Sequence, residues 1–206
     1  MPSPLTLPQI VIVDLGSQYS QVIRRTLQEL GYRSVILSPE KAEALLASHR
    51  PKGIIWSGGA ACVGDAGAPI PPKRYLGEVP LLAICLGMQY LAAWEGGKLA
   101  KVTQRKEYGP RLAQVTAPDS PLLRGVTDSA VLCSHGDSVM AAPPNFRVTA
   151  VTADCPVLAM EATDGRPIYA VQFHPEVSTT THGKTMLSYF VRDICRAQPD
   201  WQAADL

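Results

Sequence analysis

Short, continuous apolar runs alternate with amphipathic stretches through the first half of the chain. The runs are Ile10–Val13, 35–37, Gly53–Trp56 and Leu81–Ile84. Uninterrupted β-branched and aliphatic runs are typical of strands buried on both faces of a parallel sheet. Between the runs, apolar residues recur at helical spacing, which predicts helices over 19–30, 42–48 and 88–94. This alternation predicts a parallel sheet with crossover helices.

The second half of the chain has a different pattern. Short apolar stretches lie at 112–116, 130–133, 148–152, 158–162 and 168–173, separated by turns rich in Pro, Asp and Gly. We expect them to form a mixed or antiparallel extension of the same sheet. A last apolar stripe predicts a helix over 183–196, ended by Pro199. The pattern therefore predicts one α/β domain over 9–197, an N-terminal extension at 1–8, and a loose tail or linker at 198–206.

Composition excludes several classes of function. The 206 residues carry a formal net charge of +1, which offers no basic face to a nucleic acid. No apolar stretch is long enough for a membrane helix, and no secretory signal precedes the first strand. Five scattered cysteines without a CxxC pair argue against a disulfide framework and against a zinc site. We therefore expect a cytoplasmic protein with no metal site, no nucleic-acid partner and no membrane partner.

Cys85 lies where a predicted buried strand meets a predicted helix. Such a turn lifts a side chain above the sheet edge, as in a nucleophile elbow, with sulfur in place of oxygen. The positive end of the helix dipole favours a thiolate at this position. Taken alone, the segment fits a buried structural cysteine equally well.

His174 and Glu176 follow the last predicted strand. With the alternation of a strand, both side chains would point to one face, so that Glu176 orients the imidazole and His174 transfers the nucleophile's proton. A lone His-x-Glu is more often a strand-end histidine beside an unrelated surface carboxylate. Its combination with Cys85 favours the catalytic interpretation.

The segment Ser57-Gly58-Gly59 follows the third predicted strand. Paired glycines allow backbone N–H groups to point into a pocket. These donors would hold an oxyanion together with the N–H of Leu86, or cradle a phosphate, or only turn the chain. The choice among the three depends on the other elements.

Five segments together resemble the class I, triad-type glutamine amidotransferases, and most closely the glutaminase part of GMP synthetases. The segments are VIVDLGSQY at 11–19, IWSGG at 55–59, CLGMQ at 85–89, SHGDSV at 134–139 and QFHPEV at 172–177. The resemblance extends over nearly the whole chain, in the same order. It implies a three-layer, flavodoxin-like fold.

The resemblance also implies a reaction, in which L-glutamine is hydrolysed to glutamate and ammonia through a thioester on Cys85. Gly59 and Leu86 would supply the oxyanion hole, while His174 and Glu176 complete the triad. The implied substrate-binding residues are Gly58, Gln89, Ser134, Gly136 and Asp137. The implied partner is an ATP-pyrophosphatase domain or subunit that uses ATP and Mg to aminate XMP to GMP, which makes the whole enzyme a carbon–nitrogen ligase. No cofactor is expected in this chain.

Two departures and three alternatives accompany this interpretation. Ala60 stands where the family usually has proline, which predicts a less rigid oxyanion loop, and Leu86 replaces a frequent aromatic residue. The same fold would also serve a γ-glutamyl peptidase or hydrolase, a glutaminase serving another synthetase, or a non-catalytic binding module. The tail through Trp201 is similar to the approach to the synthetase region in fused enzymes, which favours a domain of a longer enzyme over a free subunit.

Overall fold

The structure is a computed structural model that describes residues 7–101 and 107–202. The strands are β1 Ile10–Val13, β2 Ser34–Leu37, β3 Gly53–Trp56, β4 Leu81–Ile84, β5 Lys98–Lys101, β6 Glu107–Val115, β7 Ser129–His135, β8 Asp137–Ala141, β9 Phe146–Val151, β10 Ala159–Ala162 and β11 Ile168–Val171. The helices are α1 Ser20–Glu29, α2 Pro39–Leu46, α3 Leu86–Glu95 and α4 Gly183–Ser188, which continues as a π-helical segment over Tyr189–Ile194.

Nine of these strands form one twisted sheet in the order β2-β1-β3-β4-β11-β10-β9-β6-β7. The first five in this order are mutually parallel, and the last four pair antiparallel. β5 and β8 form a separate antiparallel pair. The predicted α/β architecture, a mostly parallel sheet with an antiparallel extension, is confirmed.

Helices cover both faces of the parallel half. Alternate residues of a strand therefore pack into two different cores, one on each face. Ile10 and Ile12 of β1 pack in the core that includes α1 and α4, whereas Val11 and Val13 pack in the core that includes α2 and α3. Burial on both faces explains why these strands are uninterrupted apolar runs. The result is a three-layer arrangement.

Several predicted boundaries differ from the structure. β5 and β8 were not predicted, because neither Lys98–Lys101 nor Asp137–Ala141 carries a continuous apolar run. The final helix is α-helical only to Ser188. Beyond it the turns widen, and the N–H of Cys195 donates to the carbonyl oxygen of Phe190 at 2.8 Å. Cys195 then packs against Gly53, where an added Cβ would overlap its sulfur.

The tail is docked as far as the structure describes it, whereas the sequence predicts a loose segment. The N–H groups of Asp200 and Trp201 donate to the carbonyl oxygen of Gly31 at 3.0 and 3.1 Å. The Asp200 carboxylate accepts from the backbone N–H of Arg33 at 2.7 Å and from the amide of Gln9 at 2.8 Å. These contacts lie at the amino ends of β1 and β2, on the opposite edge of the sheet from Cys85. Within the described residues, no helix is long and apolar enough to cross a membrane.

Candidate active site

The carboxyl ends of β1, β3, β4 and β11 meet at one edge of the sheet, where α/β folds bind their ligands. Cys85 follows β4 directly and adopts φ 50° and ψ −107°. A positive φ strains the backbone of any residue other than glycine, and such strain persists where the surrounding structure imposes it. The N–H of Cys85 donates to the carbonyl oxygen of Val171 at 2.8 Å, and α3 begins at the next residue. Cys85 thus has the geometry of a nucleophile elbow.

Glycine at position 87 allows this sharp turn into α3. A Cβ there would lie 2.8 Å from the Cβ of Trp56 and 3.0 Å from its carbonyl oxygen. Only a glycine lets the first turn of α3 pack this closely on the end of β3. The helix therefore begins directly at the nucleophile, two residues earlier than the apolar pattern predicts.

His174 and Glu176 form a buried pair. The Nδ1 atom of His174 lies 2.8 Å from Oε1 of Glu176, and both side chains are almost inaccessible. β11 ends at Val171, so the predicted alternation of a strand is not what brings them together. A turn at Pro175 and Glu176 folds the carboxylate back onto the imidazole. The expected contact is present, for a different structural reason.

The backbone of His174 is fixed by β7. Its N–H donates to the carbonyl oxygen of Leu132 at 3.0 Å, and its own carbonyl oxygen accepts from the Thr180 hydroxyl at 2.6 Å. The same hydroxyl oxygen accepts from the N–H of Leu132 at 3.0 Å. Thr180 therefore bridges the catalytic segment and the antiparallel extension. The ring of Tyr19 adds an edge-on contact to the imidazole, with centroids 5.1 Å apart.

The surroundings of His174 favour its charged form. Burial disfavours the charge, but hydrogen bonds with Cys85 and Glu176 and the charges of both partners outweigh it, so that the pKa of His174 rises to about 10. At neutral pH the imidazole therefore carries a proton that it can deliver to a leaving group. Because Oε2 of Glu176 is buried without a partner among the described residues, His174 is the group that compensates this carboxylate.

The two glycines after β3 leave no room for side chains. A Cβ on Gly58 would lie 2.9 Å from Cε1 of His174 and 3.2 Å from the Cβ of Cys85. A Cβ on Gly59 would overlap the carbonyl oxygen of Leu15 and lie 2.7 Å from Cδ2 of Leu86. Ser57 ties this loop to the loop after β1, because its hydroxyl oxygen accepts from the N–H of Leu15 at 2.9 Å.

The two predicted oxyanion donors are free to bind an anion. Neither the N–H of Gly59 nor that of Leu86 donates to an acceptor among the described residues. Gly59 borders the pocket described next, and Leu86 is the first residue of α3, where unpaired N–H groups and the helix dipole favour negative charge. The two positions can therefore stabilise an oxyanion beside Cys85.

A pocket of about 410 Å³ opens above Cys85. One wall comes from the parallel half, including Gly16, Tyr19, Gly59 and His174. The opposite wall comes from the ends of β7 and β8. The predicted site residues that line the pocket are Gly59, Cys85, Gln89, Ser134, Gly136, Asp137 and His174, whereas Gly58, Leu86 and Glu176 lie behind this surface.

Two contacts join the two walls, one between Ser134 and Cys85 and one between Asp137 and Gln89. The carbonyl oxygen of Ser134 lies 3.8 Å from the sulfur of Cys85. The side-chain amide of Gln89 donates to the carbonyl oxygen of Asp137 at 2.9 Å and to Oε1 of Gln172 at 3.3 Å. His135 supports the loop of the second wall, since its Nδ1 lies 3.1 Å from the carbonyl oxygen of Asp137.

Sequence reasoning missed several residues of this site. Tyr19, Cys62 and Tyr108 line the pocket. Gln172 is fully buried behind Gln89. Tyr19 and Gln172 had an available signal, because both belong to segments that carry the family resemblance. Cys62 and Tyr108 reach the pocket through a long loop and a distant strand, which local patterns do not reveal.

Comparison with protein families and solved structures gives consistent matches. The model of the family described as "Glutamine amidotransferase class-I" matches residues 11–194. A protein named "GMP synthase [glutamine-hydrolyzing]" from Pelodictyon phaeoclathratiforme is 40% identical over 204 residues, which cover 96% of this chain and 40% of that protein. A protein of the same name from Xanthomonas campestris pv. campestris is 42% identical over 211 residues, covering 99% of this chain and 40% of the relative. The chain thus spans about 40% of the length of these relatives.

Solved structures with the same fold include a putative GMP synthase subunit from Thermoplasma acidophilum. It matches with a TM-score of 0.78 and 28% identity, covering 93% of this chain and 95% of the other. A glutamine amidotransferase from Thermotoga maritima matches with a TM-score of 0.70 at 13% identity, covering 93% of this chain and 100% of the other, a likeness of fold alone.

Proposed function

This chain belongs to the class-I glutamine amidotransferase family, and we propose that it is the glutaminase unit of a GMP synthase. It would hydrolyse L-glutamine to glutamate and ammonia, and the ammonia would be used to aminate XMP to GMP. The observation that carries the proposal is the meeting of Cys85, His174 and Glu176 at one pocket, which Gly59 also borders. The N–H groups of Gly59 and of Leu86, the residue after Cys85, are unpaired among the described residues.

Each chemical step has a residue suited to it. With the proton of the Cys85–His174 pair on the imidazole, the sulfur of Cys85 attacks the side-chain carbonyl carbon of glutamine, and the N–H groups of Gly59 and Leu86 hold the resulting oxyanion. His174 gives its proton to the departing ammonia, so that a thioester remains on Cys85. His174 then takes a proton from water, which attacks the thioester and releases glutamate. Glu176 keeps the imidazole oriented and compensates its charge through both halves of the cycle.

Recognition of the substrate would fall to the opposite wall of the pocket. Ser134, Gly136 and Asp137 border the space above Cys85 together with Gln89. A pocket of about 410 Å³ accommodates an amino acid of the size of glutamine. The side-chain amide of the substrate would lie over the sulfur, and its amino-acid end would face β7, β8 and α3.

The proposed use of ammonia to aminate XMP rests on the comparison with the relatives. They are named GMP synthases and are about two and a half times as long as the matched part, while the Thermoplasma protein, whose name describes a subunit, is covered almost completely. The amination of XMP, with its ATP and Mg²⁺, would therefore take place on a further domain or on a partner subunit. The cytoplasm is the compartment we propose, in keeping with five scattered cysteines that form no CxxC pair.

The decisive experiment measures ammonia release from L-glutamine by the wild-type chain and by Cys85→Ala. Each is assayed alone and with the part of a relative's chain that lies beyond the match, supplied with ATP, Mg²⁺ and XMP. We expect release that requires Cys85, increases with the loaded partner and is matched by formation of GMP. Release that persists in Cys85→Ala would exclude the proposed nucleophile. Faster turnover of γ-glutamyl peptides than of glutamine would indicate a γ-glutamyl hydrolase instead.

A further inference from the structure

A buried pair of amide side chains lies behind the pocket. Gln89 is on the first turn of α3, one turn beyond Cys85, and Gln172 follows β11, 83 residues later in the chain. The Nε2 atom of Gln89 is 2.9 Å from the carbonyl oxygen of Asp137 and 3.3 Å from Oε1 of Gln172. Both protons of the Gln89 amide are therefore used inside the protein.

These two bonds fix which way the Gln89 amide faces. A backbone carbonyl can only accept, so the group facing Asp137 must be the NH₂ end of Gln89. No donor among the described residues reaches Oε1 of Gln89, and Gln89 lines the pocket. The atom that Gln89 offers to a ligand is therefore an acceptor.

An acceptor at this position discriminates between the two ends of an amino acid. The α-ammonium group is purely a donor and would pair with Oε1, whereas the α-carboxylate can only accept and would be repelled. Had the amide the opposite orientation, it would recognise the carboxylate instead. The orientation of one amide thus sets which group of the substrate is bound here.

Core packing does not explain a glutamine at position 172. Its side chain is completely buried, yet its Nε2 has no partner among the described residues. An unpaired buried N–H₂ group destabilises a fold, and an apolar side chain of similar shape would not carry that cost. The paired atom of the Gln172 amide is Oε1, which accepts from Nε2 of Gln89.

We propose that Gln172 is a positioning residue that, together with the carbonyl oxygen of Asp137, holds the amide orientation of Gln89 and thereby favours a ligand with a free α-ammonium group. The inference rests on the proposed function in one respect, namely that the ligand is a free amino acid. Gln172 does not touch the ligand itself and acts through Gln89 alone.

The test compares two ligands by calorimetry in a Cys85→Ala background, so that neither is consumed. L-Glutamine carries the α-ammonium group, and glutaramate (4-carbamoylbutanoate) lacks it. We expect the parent to bind glutamine more tightly, and Gln172→Met to reduce this preference by about fivefold to tenfold, the worth of one oriented hydrogen bond. The melting temperature of Gln172→Met should be unchanged or higher, which a packing role would not give.

Two further variants complete the design. Gln172→Glu keeps an oxygen facing Gln89 and should retain most of the preference, which also covers the case in which Gln172→Met does not fold. Gln89→Met removes the contact with the ligand, and the double variant with Gln172→Met should bind no more weakly than Gln89→Met alone.

Three results would overturn the inference. They are an equal loss of affinity for both ligands in Gln172→Met, a melting temperature that falls in step with affinity, and additive losses in the double variant. A parent protein that binds neither ligand would instead refute the proposed function, and the inference with it.

Discussion

The parallel half of the sheet and its antiparallel extension contribute different things to one site. Cys85, Gly59 and His174 all follow strands of the parallel half, where the carboxyl ends converge. Ser134, Gly136 and Asp137 lie at the junction of β7 and β8, in the extension and its small companion sheet. The groups proposed to make and break bonds are on one side of the pocket, and most of the groups proposed to hold the amino acid are on the other.

The two regions also differ in how directly their sequences predict their structure. In the parallel half the central strands β1, β3 and β4 are buried on both faces, so each of their sequences is a visible apolar run. In the extension, β6 exposes Tyr108 and Leu112 on one face and buries Ala113 on the other, and its partner strands are distant in sequence. The proposed catalytic groups therefore lie where local patterns are strong, and the proposed recognition groups lie where they are weak. Variants in each region should separate these two contributions.

Replacement of Cys85 by alanine should have the largest effect and should be confined to chemistry. Without the sulfur no thioester forms, and we expect turnover of glutamine to fall by about 10⁴-fold or more. Binding should change by less than about threefold, because the wall formed by β7 and β8 is intact and one small group is removed. Ammonia release and calorimetry measure the two quantities. Loss of binding in parallel with turnover would show that the two regions are not separable.

Replacement of Glu176 by glutamine should slow the reaction and shift the titration of His174. The carboxylate contributes to raising the pKa of His174 to about 10, so the pKa should fall by about one to three units in the variant, and kcat by about 10²- to 10⁴-fold. The imidazole resonances in NMR spectra, recorded from pH 5 to 11, report the pKa directly. An unchanged pKa of His174 in the variant would mean that Cys85 alone raises this pKa.

Glu176→Gln should also change how the free energy of unfolding depends on pH. Because the pKa of His174 is raised from 6.5 to about 10 on folding, its contribution is fully present below about pH 6.5 and is lost as the pH rises through about 10. The free energy of unfolding, measured with urea across this window, should therefore fall less steeply in Glu176→Gln than in the wild type. Equal slopes of the free energy of unfolding against pH in the two proteins would contradict this link between the titration of His174 and stability.

Replacement of Gly59 by alanine should have a smaller effect, again on chemistry. The new Cβ would overlap the carbonyl oxygen of Leu15, so the loop must move and its N–H must leave the oxyanion site. We expect kcat to fall by about 10²- to 10³-fold, the range for loss of one oxyanion donor. Ala66→Ser, an exposed change in the same loop, is the matched control and should leave kcat within about twofold.

A part of this site was predictable from the sequence when the residues that form it lie close together in the chain. Cys85, His174 and the glycines at 58 and 59 stand in short segments directly after strands of the parallel half, so their positions follow from local pattern. The pairing of Gln172 with Gln89 joins residues 83 positions apart, and β8 begins with Asp137 and Ser138, which read locally as a turn. Such contacts depend on the register of distant strands, which periodicity does not encode.

Replacement of Thr180 by valine tests the connection between the two regions and should have the smallest effect on activity. The hydroxyl donates to the carbonyl oxygen of His174 and accepts from the N–H of Leu132, so valine leaves one buried and one partly buried backbone group without these partners. We expect the free energy of unfolding to fall by about 1–3 kcal/mol, and kcat to fall by less than about tenfold. Urea denaturation measures the first quantity and ammonia release the second. Thr179→Val, at the exposed neighbouring position, should change neither by a measurable amount. A loss of kcat comparable to that of Glu176→Gln, at unchanged stability, would instead show that β7 sets the position of His174 during catalysis, and that the two regions act as one unit.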